Sequence, residues 1–217
     1  MTSERENAQF IEKLEDRLTR PLPGVSAQNR MAPSSRKSLS YYTGEIKSVR
    51  MSSVMILLFR EGDNWKFPLI RLVQYPGVHS GQMALPGGRM EKGDKDRIFT
   101  AIRETQEETG ADLKGVRILG TLTELPVYAS RSSVLPVVGA VPVVPSLKRD
   151  PKEVESLHIA SLEELLDEKN RRITTLQVSD TRSVEAPYYA VDDQIVWGAT
   201  AMILSEFLYI IREIMDH

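Results

Sequence analysis

Residues 79–110 read HSGQMALPGGRMEKGDKDRIFTAIRETQEETG, and the rest of the chain can be arranged around them. The stretch divides into a short strand, a glycine turn, an acidic loop and a helix carrying three glutamates. Asp94 is placed to cap that helix, since a carboxylate accepts hydrogen bonds from the unpaired amides of a first turn. Gly110 is placed to close it, because glycine takes the left-handed conformation without a Cβ clash. At about 100° per residue, Ile98, Ala101, Ile102 and Thr105 share one side, and Glu104, Glu107 and Glu108 the other. Like charges at this spacing repel by a few tenths of a kcal/mol per pair. A hard divalent cation such as Mg²⁺ or Mn²⁺ relieves the conflict and binds together with substrate phosphates. A solvated acidic face is the other meaning of the same spacing.

Leu85-Pro86-Gly87-Gly88, an acidic loop, and then Arg103-Glu104-x-x-Glu107-Glu108-x-Gly110 together resemble the signature of the Nudix hydrolases. Two details depart from the commonest form of that signature. Asp94 stands where a Glu is usual, and Arg103 follows one residue later. Both departures resemble the coenzyme A pyrophosphatase branch, as do Thr100-Ala101-Ile102-Arg103-Glu104, His79-Ser80-Gly81-Gln82 and Trp197-Gly198-Ala199-Thr200-Ala201. The resemblance implies an α/β fold, an α/β/α sandwich with a central mixed β-sheet. It also implies metal-dependent cleavage of coenzyme A, or a derivative, into adenosine 3′,5′-bisphosphate and 4′-phosphopantetheine. A Nudix pyrophosphatase for ADP-ribose or another nucleoside diphosphate derivative is the alternative. A non-catalytic nucleotide sensor is a weaker one, since such a module is expected to have lost metal glutamates and all three stand here.

Composition narrows the field further. Of 217 residues, 41% are hydrophobic and 27% charged, the balance of a folded globular chain. A formal net charge of −2 and the lack of a basic stripe argue against nucleic acid as a partner. The absence of cysteine excludes disulfides, thiolate zinc sites and cysteine nucleophiles, and fits a cytoplasmic location. No apolar run reaches the ~18 residues of a membrane span, and the first residues lack a signal-peptide core.

Residues 1–45 read as a short amphipathic helix over 8–18, ended by Pro21-Leu22-Pro23-Gly24, and an irregular arm to about residue 40. Residues 46–217 read as the hydrolase domain. Ser52–Phe59 and Trp65–Gln74 form a hairpin, and Val116–Glu124 and Val134–Val144 are further strands, the second central. Ser161 with Glu164 makes a capping box, Arg172–Val178 and Val184–Val191 a second hairpin, and Ile195–Met215 one long helix that could serve a homodimer.

The resemblance implies metal ligation by Glu104, Glu107 and Glu108, with Gly88 adding its backbone carbonyl. Glu107 or Glu108 would instead take a proton from the attacking water, and Glu153 is a candidate accessory acid. Arg103, four residues before Glu107, is expected to orient that carboxylate by an ion pair. For Asp94 the helix cap is favoured over metal binding. His79, Gln82 and Arg131 are candidate contacts to a small nucleotide substrate, with a structural role open for His79 and solvation for Arg131. Arg71 is not assigned a role, because it lies one residue from the position the branch pattern uses and faces the other side of a strand.

Overall fold

The computed structural model describes residues 2–36, 49–77, 79–179 and 182–216. Its layout follows from strand β1 (Arg50–Glu61), whose run Met55–Phe59 is buried residue after residue. A strand that is apolar at every position has to be covered on both faces. Met55, Leu57 and Phe59 enter a small core with Ala101, Leu113 and Val137. Ile56 and Leu58 point the other way, into a larger core with Leu14, Phe67, Val138 and Phe207.

On either side of β1 the sheet grows by short connections. Strand β2 (Asn64–Leu72) returns as the expected hairpin, and β3 (Met83–Ala84) and β4 (Gly87–Arg89) pair with β2 and β1. Beyond β5 (Arg117–Thr121) and β6 (Leu125–Val127), β7 (Ser132–Ala140) runs parallel to β1. Strand β8 (Val154–Ser161) closes the far side of β2. The path β3-β2-β1-β7-β5 is therefore a mixed sheet. A second, three-stranded antiparallel sheet holds β9 (Arg171–Ser179), β10 (Arg182–Val191) and β11 (Gln194–Trp197). The helices are α1 (Thr2–Leu18), α2 (Val25–Gln28), α3 (Arg97–Thr109), α4 (Leu162–Leu166) and α5 (Gly198–Met215). Helix α3 covers the small core, while α1 and α5 cover the large one, which completes an α/β/α sandwich.

Several expectations need correction. Residues 195–197 are not helical but belong to β11, because Ile195 and Val196 pair with Ala190 and Tyr189 of β10; the helix begins only at Gly198. The apolar run expected to continue β7 to Val144 stops at Ala140, and Val143 is left 70% exposed. Helix α1 is longer than the 8–18 segment and reaches back to Thr2. Helix α5 is buried within its own chain along most of its length, so a dimer contact through it would rest on Tyr209 and Met215. The boundary at 45/46 and the last residues of the arm lie outside the described residues.

Within the described residues, the segment after α1 is an integral part of the fold. Ala27, Gln28 and Met31 are buried, and the arm is pinned by Glu206, a fully buried carboxyl group on α5. Its oxygens accept from Gly24 N at 3.0 Å, Gln28 Nε2 at 2.9 Å and Thr123 Oγ1 at 2.6 Å. A buried acid is tolerable only when its oxygens are met by donors. Glu206→Ala removes the acceptor that these donors share, and is expected to destabilise the fold by about 3 kcal/mol or more. In thermal unfolding that is a drop of roughly 6–12 °C; a Tm within about 2 °C of wild type would show that the arm is not held this way.

Candidate active site

The site begins with a backbone that leaves no room for side chains. Gly87 and Gly88 pair with Val54 and Ser53 of β1. Gly87 has φ 150°, and a Cβ there would sit 2.2 Å from the Ser53 carbonyl oxygen. A Cβ on Gly88 would sit 2.5 Å from the carboxyl carbon of Glu104. Glycine at both positions lets the turn close directly onto α3. There Gly87 N donates to Glu108 Oε2 at 2.8 Å. Glu108 is consequently only 4% exposed, so the helix does not present three solvated carboxylates as its periodicity predicts. Ala101 and Thr105 are buried on the opposite side as expected.

Asp94 is not the helix cap. That place belongs to Asp96, whose side chain accepts from Phe99 N at 2.7 Å, while Gly110 closes the helix at φ 67°. Asp94 lies two residues further out, where its buried carboxylate accepts from Arg103 Nε and Nη2, both at 3.0 Å, from Thr100 Oγ1 at 2.8 Å and from Glu91 N at 2.9 Å. The Arg103 hydrogen bonds, followed by the Glu91 amide, hold the Asp94 carboxyl well below the usual carboxylate range. The same contact pushes the Arg103 guanidinium up. From this anchor Arg103 reaches Glu104 Oε1 at 2.9 Å and, in the ion pair expected from their spacing, Glu107 Oε2 at 2.9 Å. Periodicity finds the second contact but not the first partner, because Asp94 is not on the helix.

Glu104, Glu108 and Glu153 converge, each offering a carboxyl oxygen within 4.8 Å of the others. The loop after β7 brings Glu153 there through backbone bonds from Lys148 N to Thr109 O and Asp150 N to Glu108 O, at 2.7 and 3.1 Å. Val73 N, at the end of β2, then donates to Glu153 O at 3.0 Å. Burial pushes the Glu108 carboxyl up to about 8, opposed by the Gly87 amide and reinforced by Glu104 and Glu153. Burial also pushes Glu104 up, against the pull of Arg103. Three converging carboxyl groups of which two are disfavoured as anions fit a hard divalent cation, whose charge offsets the repulsion.

The other candidates are distributed around this cluster. Glu107 turns outward, with its side chain 58% exposed, and is not among the three converging acids. His79 Nδ1 lies 3.2 Å from Gln82 Oε1, and their turn joins the cluster's edge because Gly81 N donates to Val73 O. Arg131 is exposed where β7 begins, beside Arg50 of β1, whereas the glycine turn lies against Val54. Those four residues of strand correspond to about 13 Å.

The raised Glu108 carboxyl has a consequence for stability. Below pH 4.5, its ordinary value, folded and unfolded chains are both protonated. Between pH 4.5 and about 8 the unfolded chain ionises while the folded one keeps its proton, so stability is lost as pH rises through that window. Glu108→Gln, still able to accept from Gly87 N, avoids that loss. For metal-free protein the variant is expected to match wild type near pH 4 and to melt roughly 8–16 °C higher at pH 8. A constant difference across that range would refute the assignment.

The NUDIX domain family model matches residues 49–177. The human protein named mitochondrial coenzyme A diphosphatase NUDT8 is 31% identical over 190 residues, covering 86% of this chain and 73% of its own. Its mouse counterpart is 34% identical over 137 residues, covering 62% and 64%. Nudix hydrolase 15, mitochondrial, of Arabidopsis thaliana is 32% identical over 170 residues, covering 71% and 56%. The matches thus span less than two thirds of the mouse and Arabidopsis proteins. Among solved structures, the M. smegmatis Nudix hydrolase RenU aligns with a TM-score of 0.50 at 11% identity, over 77% of this chain and 86% of its own, which bears on the fold alone. With a family match over more than half its length, and a glycine turn closed over an acidic helix, the chain belongs to the Nudix hydrolase family.

Proposed function

We propose that the protein hydrolyses the pyrophosphate bond of coenzyme A or one of its derivatives, releasing adenosine 3′,5′-bisphosphate and 4′-phosphopantetheine. The convergence of Glu104, Glu108 and Glu153 beneath the glycine turn carries the reaction class. The substrate rests on the His79–Gln82 stretch at the edge of that cluster and on the names of the human and mouse relatives.

Glu104, Glu108 and Glu153 would hold Mg²⁺ or Mn²⁺, which when bound neutralises diphosphate charge and lowers the pKa of a coordinated water. The chain's own groups prepare for this. Arg103 fixes Glu104 through a guanidinium that Asp94 already anchors. Gly87 N fixes Glu108, which suits Glu108 to ligation rather than to moving protons. Glu153 stands exposed at the open side and is the carboxyl freest to take a proton from water, with Glu107 held outward by Arg103. His79 and Gln82 would border the nucleotide, and the distance of Arg131 argues for solvation there.

No helix among the described residues is long and apolar enough to cross a membrane. A cytoplasmic location fits the absence of cysteine, while the human and mouse relatives carry mitochondrial names; imaging of the tagged protein separates the two.

The test is product analysis by mass spectrometry after incubation with coenzyme A, ADP-ribose or NADH and either metal. Phosphopantetheine is expected from coenzyme A, and the rate is expected to fall by roughly 100-fold or more in Glu108→Gln, at least the loss that outer-shell changes at metal sites reach. Faster cleavage of ADP-ribose would overturn the substrate assignment, and no cleavage of any of the three would overturn the enzymatic reading.

A further inference from the structure

A second constellation lies outside the acidic cluster, at the junction of the two sheets. Ser156 and His158 alternate on β8 and therefore share a face. Ser156 Oγ is 2.8 Å from His158 Nε2, and His158 Nδ1 is 2.8 Å from Asp192 Oδ2 in the turn between β10 and β11. The donor inventory selects one arrangement. An ionised carboxylate only accepts, so in the neutral imidazole Nδ1 carries the proton and Nε2 accepts from the serine hydroxyl. This is a nucleophile, a base and a group that orients the base, each within hydrogen-bond reach of the next.

Three further observations bear on the same place. The His158 side chain is 13% exposed, and Ser156 beside it is likewise partly buried. Asp192 holds φ 49°, the left-handed conformation that a two-residue hairpin turn uses and that Asp tolerates, which fixes it at the tip between β10 and β11. Arg71 is the cross-strand partner of Ser156. Its Nε is buried and, among the described residues, has no hydrogen-bond partner, although Glu155 Oε2 lies 3.2 Å away without the alignment of a hydrogen bond. Arg71 thus stands on the strand next to Ser156, with its charge paired to Glu155.

We propose that Ser156, His158 and Asp192 form a second, metal-independent hydrolytic centre for carboxylic esters. Ser156 Oγ attacks the carbonyl carbon, its proton passes to His158 Nε2, and the carbonyl electron pair moves to oxygen. Collapse breaks the bond to the alcohol, which leaves with the proton from Nε2. Water repeats the sequence on the acyl-serine, so that ester and water yield acid and alcohol and the enzyme is regenerated.

The experiment uses the full chain in excess EDTA, with p-nitrophenyl acetate as substrate and a fluorophosphonate as probe, followed by peptide mapping. Turnover and a single adduct on Ser156 are expected. Ser156→Ala is expected to abolish both without changing the Tm, and Asp192→Asn to slow labelling roughly 100-fold. Absence of an adduct from folded wild-type protein, or turnover that survives in Ser156→Ala, would overturn the proposal. Adduct mapping on the wild type decides the matter even if a variant fails to fold. Because EDTA removes the metal, the outcome is independent of any diphosphatase activity.

Discussion

The contact on which this structure depends is the closure of Gly87 and Gly88 between β1 and α3. Any Cβ at Gly87 would collide with the β1 backbone, and any at Gly88 with the carboxyl group of Glu104. Closure delivers the Gly87 amide to Glu108 and removes that carboxyl from water. One amide is a partial answer to burying an acid, since a carboxylate in a site of low dielectric needs several donors or a positive charge. The site therefore stores an electrostatic conflict that the fold itself does not resolve.

The surrounding structure is arranged to tolerate that conflict without relieving it. Asp94 takes both a nitrogen of the guanidinium stem and one of its tips, so Arg103 is committed before it reaches Glu104 or Glu107. Its charge is shared among three acids, and none of it reaches Glu108 directly. Behind the helix, the small core of Met55, Leu57, Phe59, Ala101 and Val137 supplies the rigidity. Close-packed side chains of this kind yield little under load, so the carboxyl groups stay together despite their repulsion.

The same logic recurs at the other side of the sheet in a milder form. Glu206 is as deeply buried as any residue of α5, yet three well-placed neutral donors meet it. The contrast separates two uses of a buried acid. Glu206 is satisfied and fastens the arm to the large core, whereas Glu108 is under-satisfied and sits beside two further acids. Both interrupt an otherwise amphipathic helix, and neither role is visible in the helical pattern.

Local pattern reached far into this chain. The apolar run of β1, the β1–β2 and β9–β10 hairpins, the helix closed at Gly110 and the Arg103–Glu107 pair all follow from period, turn chemistry or i,i+4 spacing, which depend on neighbours along the sequence. The motif around Gly87, Gly88 and the glutamates was enough to place the chain in its family. What the sequence could not decide was partnership across distance. Asp94 reads as a cap on paper, but in space it is taken by Arg103 and the cap falls to Asp96. Ile195 and Val196 suit a helix or a strand, and the edge of β10 chose the strand. Glu107 and Glu153 exchanged places in the acidic cluster because a helix of fixed pitch turns Glu107 outward, while backbone bonds to the end of α3 draw Glu153 in. Covalent order sets which side chains a segment offers, but burial and long-range hydrogen bonding determine which of them meet.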